Sequence, residues 1–114
     1  MDARRFRFER REMALRLHSF DLYEDTGYGR DQWFRYWWEG FAPTGHLLRA
    51  RYPDSYPYRD LDILVSPDIR THHKIRGDAL CLYEPGEWRP HYTAASNILV
   101  AIRFLNEYAR GLVS

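Results

Sequence analysis

The chain has one cysteine, one lysine, no long apolar run and almost no net charge, and each scarcity excludes something. With Cys81 alone, no intrachain disulfide and no multi-cysteine zinc site can form. That leaves a buried thiol, an intermolecular bridge or a nucleophile. The longest uninterrupted apolar stretch, Ile98–Ile102, falls far short of the roughly 20 residues that a bilayer span requires. The N-terminal Met-Asp-Ala-Arg-Arg-Phe-Arg-Phe-Glu-Arg-Arg has the charge of a secretory leader without an apolar segment behind it. A cytoplasmic protein is therefore expected, and an unpaired thiol agrees with a reducing compartment. The net charge is +1, from 17 basic and 16 acidic residues, so no global field draws the chain onto nucleic acid or a membrane. Also missing are a G-x-S-x-G turn and a phosphate-cradling glycine loop, which argues against serine hydrolases and nucleotide enzymes.

What is present points to one globular domain over residues 1–114. The length of 114 residues suits a single core, and 45% hydrophobic with 17% aromatic content is incompatible with disorder. Of the 17 basic residues, Lys74 is the lone lysine and the rest are arginine. Residues 4–18 contain no Gly or Pro, and Phe6, Arg10, Met13 and Leu17 step along one helical face. Glu9, Glu12 and the arginines around them read as a solvated opposite face, or as one that docks a partner. The polar stretch 25–30, with Gly27 and Gly29, reads as a turn.

Three strands are expected next, at 33–41, 46–52 and 61–65, with Leu48, Ala50 and Tyr52 opposed in phase to Leu47, Arg49 and Arg51. Their short connections favour an antiparallel meander. Between Pro67 and Pro90 no long periodic segment exists, yet residues 79–83 are too apolar for disorder, so Cys81 is expected on a pinned loop or short strand. Residues 93–110 read as a long covering helix, with Ala94, Ile98, Ile102, Leu105 and Tyr108 on one face, Thr93 as N-cap and Gly111 at the end.

The chemistry concentrates in residues 71–91. Cys81 lies between His72, His73 and His91, and the cations Lys74 and Arg76 favour a thiolate. The plain alternative is that Cys81, flanked by Leu80 and Leu82, packs as a small hydrophobe. A zinc site from His72, His73, Cys81 and His91 is disfavoured, because adjacent histidines on an extended chain point to opposite sides.

The order of parts resembles the ubiquitin-conjugating enzyme fold. Pro53 and Tyr56-Pro57 match the family's P-x-x-Y-P loop, Gly77-Asp78-Ala79-Leu80-Cys81 is similar to the segment before its catalytic cysteine, and Trp88-Arg89-Pro90 matches its W-x-P element. Trp38, Gly40, Pro43 and Thr44 echo its strand motif W-x-G-x-x-P-x-x-[TS], with small shifts of spacing. Residues 9–13, 80–83 and 87–90, and the end of the chain after one long helix, resemble compact bacterial relatives from ubiquitin-like conjugation operons, including those of anti-phage signalling. The resemblance implies an α+β fold with an N-terminal helix, an antiparallel meander, a cysteine-bearing loop and a long C-terminal covering helix. It further implies a transferase. Cys81 would carry a ubiquitin-like modifier as a thioester, delivered by an adenylating activating enzyme and passed to an amine of a target protein, with no metal or other cofactor.

In the same comparison, His73 stands eight residues before Cys81, where the family has the asparagine of a His-Pro-Asn triplet, and takes over its oxyanion-stabilising role. Tyr56, Pro57, Trp88 and Pro90 support the scaffold, and Glu84, Glu87 and His91 are candidates for the group that deprotonates the incoming amine. Arg59-Asp60-Leu61 replaces the proline expected after Tyr56-Pro57. The alternative is a non-catalytic binding module of the same fold, like the RWD domains, with Cys81 as packing and the aromatic strand 33–38 as its surface.

Overall fold

The structure, a computed structural model, describes residues 1–25, 34–75, 77–83 and 86–113. Helix α1 spans Ala3–Arg16, started by Asp2, whose carboxylate accepts the Arg5 N–H at 2.8 Å. Strands β1 (Asp21–Glu24), β2 (Phe34–Phe41), β3 (Leu47–Pro53) and β4 (Asp62–Ser66) follow and form one antiparallel sheet in the order β1-β2-β3-β4. A two-residue hairpin, β5 (Lys74–Ile75) with β6 (Ala79–Leu80), comes next, and helix α2 (Ala94–Ala109) ends the fold.

The meander is thus one strand longer than expected. Asp21 and Glu24 bracket β1 with charge and leave too little alternation to read, but its register, Leu22 opposite Trp38, puts Leu22 against the core. The turn expected at 25–30, apart from Asp25, and the start of the aromatic strand at Trp33 lie outside the described residues. On β3 the alternation holds: Leu48, Ala50 and Tyr52 are buried, and Trp38 from β2 and Ile63 from β4 join them on the same face. Ala94, Ile98, Ala101 and Leu105 of α2, all fully buried, belong to the same core cluster. Thr93 caps α2 as expected, in a capping box with Ser96.

One glycine is there for space rather than for its backbone freedom. A Cβ on Gly40 would lie 2.6 Å from the Phe20 ring, itself 6% exposed, so this strand face must be bare for the segment after α1 to lie on it. Gly40→Ala should therefore destabilise the fold by about 1–3 kcal/mol through overpacking. Urea unfolding checks this, and an unchanged midpoint would mean that Phe20 moves aside freely.

Glu9 is not on a solvated face. It is 0% exposed, and its Oε1 accepts from the hydroxyls of Tyr52 and Tyr56, both at 2.9 Å, and from the Ala94 N–H at 2.8 Å. Its Oε2 accepts from Arg5 Nε at 3.2 Å. A carboxylate meets the positive end of α2 here, which favours its charge. Burial, followed by the charge of Glu9, raises the pKa of both tyrosines and keeps their hydroxyls protonated as donors. Arg5 extends the link: it donates to the Pro90 carbonyl at 2.7 Å and to that of Tyr92. Helix α1 is thereby fastened to the segment that leads into α2.

Candidate functional site

The cysteine lies at the end of the β5–β6 hairpin. Gly77 turns the hairpin with a φ of +83°, a conformation that side chains with a Cβ rarely adopt. Lys74 pairs with Leu80 and Ile75 with Ala79, and the ladder continues with the Cys81 N–H donating to the His73 carbonyl at 2.8 Å. His73 and Cys81 therefore face each other across the hairpin, and both line one open groove of about 340 Å³. The pleat turns Lys74 the other way, where its ammonium meets Asp68 at 2.6 Å.

The groove has one wall from the hairpin and the chain after it, and one from α2. Val100, Arg103, Phe104 and Glu107 form a second stripe on that helix, and the Phe104 and His73 rings meet in a T-shaped contact at 5.4 Å. Thr71 accepts the His73 N–H at 3.2 Å and fixes the turn into the hairpin. Cys81 is half-buried and its thiol leans toward the Tyr83 carbonyl at 3.6 Å. Burial, then Tyr92, Asp60 and Glu87, pushes the Tyr83 hydroxyl up to about 12, so it stays neutral.

The residues singled out from the sequence separate clearly. His73, Cys81 and Glu87 share the groove, whereas His91 is exposed, meets the Tyr92 ring in a T-shaped contact at 4.8 Å and is not among the groove-lining residues. Glu84 and Arg76 lie outside the described residues. Trp88 donates to the Pro57 carbonyl at 2.7 Å and packs against Tyr56, Tyr83 and Tyr92, so it ties the Tyr56-Pro57 loop to the chain after Cys81. Pro90 contributes its carbonyl to Arg5.

The two adjacent histidines do not splay as an extended chain would make them. His72 sits in a bend, and the two rings lie 4.2 Å apart. Among the described residues, no group of three His, Cys, Asp or Glu side chains is placed to hold a metal ion. The contribution of α2 to the groove was not anticipated. Its signal is the 3-1-3 spacing of Val100, Arg103, Phe104 and Glu107, on the flank of the buried stripe.

No protein-family model matches the sequence, and no curated protein matches it. Among solved structures, the chain is similar to human ubiquitin-conjugating enzyme E2 G1, with a TM-score of 0.58 and 18% identity over 94% of this chain and 98% of that one. The architecture is that of the ubiquitin-conjugating enzymes: N-terminal helix, four-stranded meander and a long helix across it. No helix among the described residues is long and apolar enough to cross a membrane.

Proposed function

We propose that this chain, built on the ubiquitin-conjugating-enzyme fold, carries a ubiquitin-like modifier as a thioester on Cys81 and transfers it to an amine of a target protein. The observation that carries this reading is the placement of the one cysteine, half-buried, directly across a hairpin from His73 in an open groove. An adenylating activating enzyme supplies the modifier. The Cys81 thiolate attacks the C-terminal carbonyl of the modifier, and the activated leaving group departs. In the second step the target amine attacks the thioester carbonyl and Cys81 leaves. Each exchange is easier than direct amide formation.

An N–H of the His73 ring serves as donor to the oxyanion that forms above Cys81. Of the groups considered for deprotonating the amine that lie among the described residues, Glu87 lines the groove and takes that role, and His91 does not line it. The likeness of residues 9–13, 80–83 and 87–90 to compact bacterial relatives supports a place in a bacterial ubiquitin-like conjugation system of the anti-phage type, acting in the cytoplasm.

The test is to incubate the protein with an activating enzyme, a modifier and ATP and to run gels with and without reductant. A reducible adduct that disappears in Cys81→Ala is expected. An adduct that survives this substitution, or no adduct together with a thiol that resists labelling in the native state, would favour the non-catalytic binding module.

A further inference from the structure

The chain carries 17 basic residues and a single lysine, and the structure shows where the exception sits. Lysine and arginine serve equally as surface charge, but only lysine offers an amine. A guanidinium stays protonated at any physiological pH and is a poor nucleophile. Arg103 lies on the α2 wall of the Cys81 groove, 82% exposed and ion-paired to Glu107 at 3.3 Å. Lys74 is seven residues from Cys81 in sequence, yet it points off the opposite face of the hairpin. Its side chain is only 18% exposed, and its ammonium is held by Asp68 at 2.6 Å.

We infer that the groove has arginine, at position 103, where a lysine would offer a nucleophile, and that the chain turns its one lysine away, so that a modifier thioester on Cys81 finds no acceptor lysine beside it. This rests on the function proposed above. The excluded reaction is definite: a neutral lysine amine attacks the thioester carbonyl, a C–N bond forms, the C–S bond breaks, Cys81 departs as thiolate, and the amine proton passes to a carboxylate or water. Arginine at 103 keeps the charge that this face presents and removes the nucleophile. Selectivity for an outside acceptor then comes partly from denying the nearest competitor.

Two measurements test this. In the first, the parent, Arg103→Lys and Cys81→Ala are charged without an acceptor, and non-reducible adducts are mapped by peptide mass spectrometry. Residue 103 is so exposed that the exchange leaves the fold intact. Arg103→Lys should accumulate an isopeptide at position 103 at least about tenfold faster than the parent accumulates one at Lys74, because a tethered amine in the groove has a high effective concentration. Comparable modification of Lys74 in the parent, or none at position 103 in the variant, would overturn the inference.

The second measurement needs no charging. An amine-reactive ester should label Lys74 at least about threefold more slowly in the native parent than in Asp68→Asn, as loss of an exposed ion pair implies. Equal labelling would overturn the sequestration of Lys74 whatever the gels show. A missing reducible band in every variant would instead overturn the thioester reading, and this inference with it.

Discussion

Glu9→Ala should cost about 3–5 kcal/mol of folding stability, the usual effect of removing one partner from a buried, hydrogen-bonded charge pair. The loss is large because the carboxylate serves four donors at once: Arg5, Tyr52, Tyr56 and the Ala94 N–H. Alanine leaves the Tyr52 hydroxyl, on a residue 4% exposed, without its acceptor, leaves that of Tyr56 only the Tyr92 carbonyl at 3.4 Å, and opens the first turn of α2. Against a total of about 5–15 kcal/mol for an ordinary domain, the variant would be marginal. Urea unfolding measures it. Glu9→Gln, which retains an acceptor oxygen but turns an amide toward Arg5, should fall between the two. A loss below about 1 kcal/mol in Glu9→Ala would mean that the network is replaceable by water.

His73→Ala should slow discharge of the Cys81 thioester about 100-fold while charging persists, the scale on which single oxyanion donors act. This follows from the proposed chemistry and from the position of His73 across the ladder from Cys81. Single-turnover discharge of pre-charged protein to a free amine separates the two steps. His73→Asn keeps an N–H donor on a shorter side chain and should recover part of the rate. A merely structural role, through the Phe104 contact at 5.4 Å, would not predict that recovery. Equal discharge in parent and His73→Ala would remove His73 from the mechanism.

The order of elements was legible because period and punctuation agree. Pro43 and Gly45 separate β2 from β3, the Leu48, Ala50, Tyr52 alternation marks the buried face of β3, and Thr93 with the apolar steps behind it starts α2. The cysteine segment was legible through motif order, whereas the contact of Trp88 with the Tyr56-Pro57 loop became visible only in the fold.

Glu9 was not. On a helix crowded with arginines, a carboxylate four residues after Arg5 has the pattern of a surface ion pair, and nothing local reveals that two tyrosines more than 40 residues away donate to it. Strand β1 was missed because it is short and charged at both ends. Arg103 and Glu107 were missed because the buried stripe of α2 is the stronger signal, and a groove shared between a hairpin and a helix exists only once both are packed.

The Glu9 to Ala94 bond also has a consequence for synthesis on the ribosome. The acceptor is made 85 residues before its donor, so throughout most of translation the carboxylate has no helix end to meet. Helix α1 and the meander can form early, but α1 cannot settle against the sheet without desolvating a charge that lacks its last partner. The helix that carries Glu9 is therefore among the last parts to be sealed. Because α2 closes both the core and this carboxylate, a chain stalled before residue 94 should remain open to proteases, whereas one from which α2 has emerged should be protected.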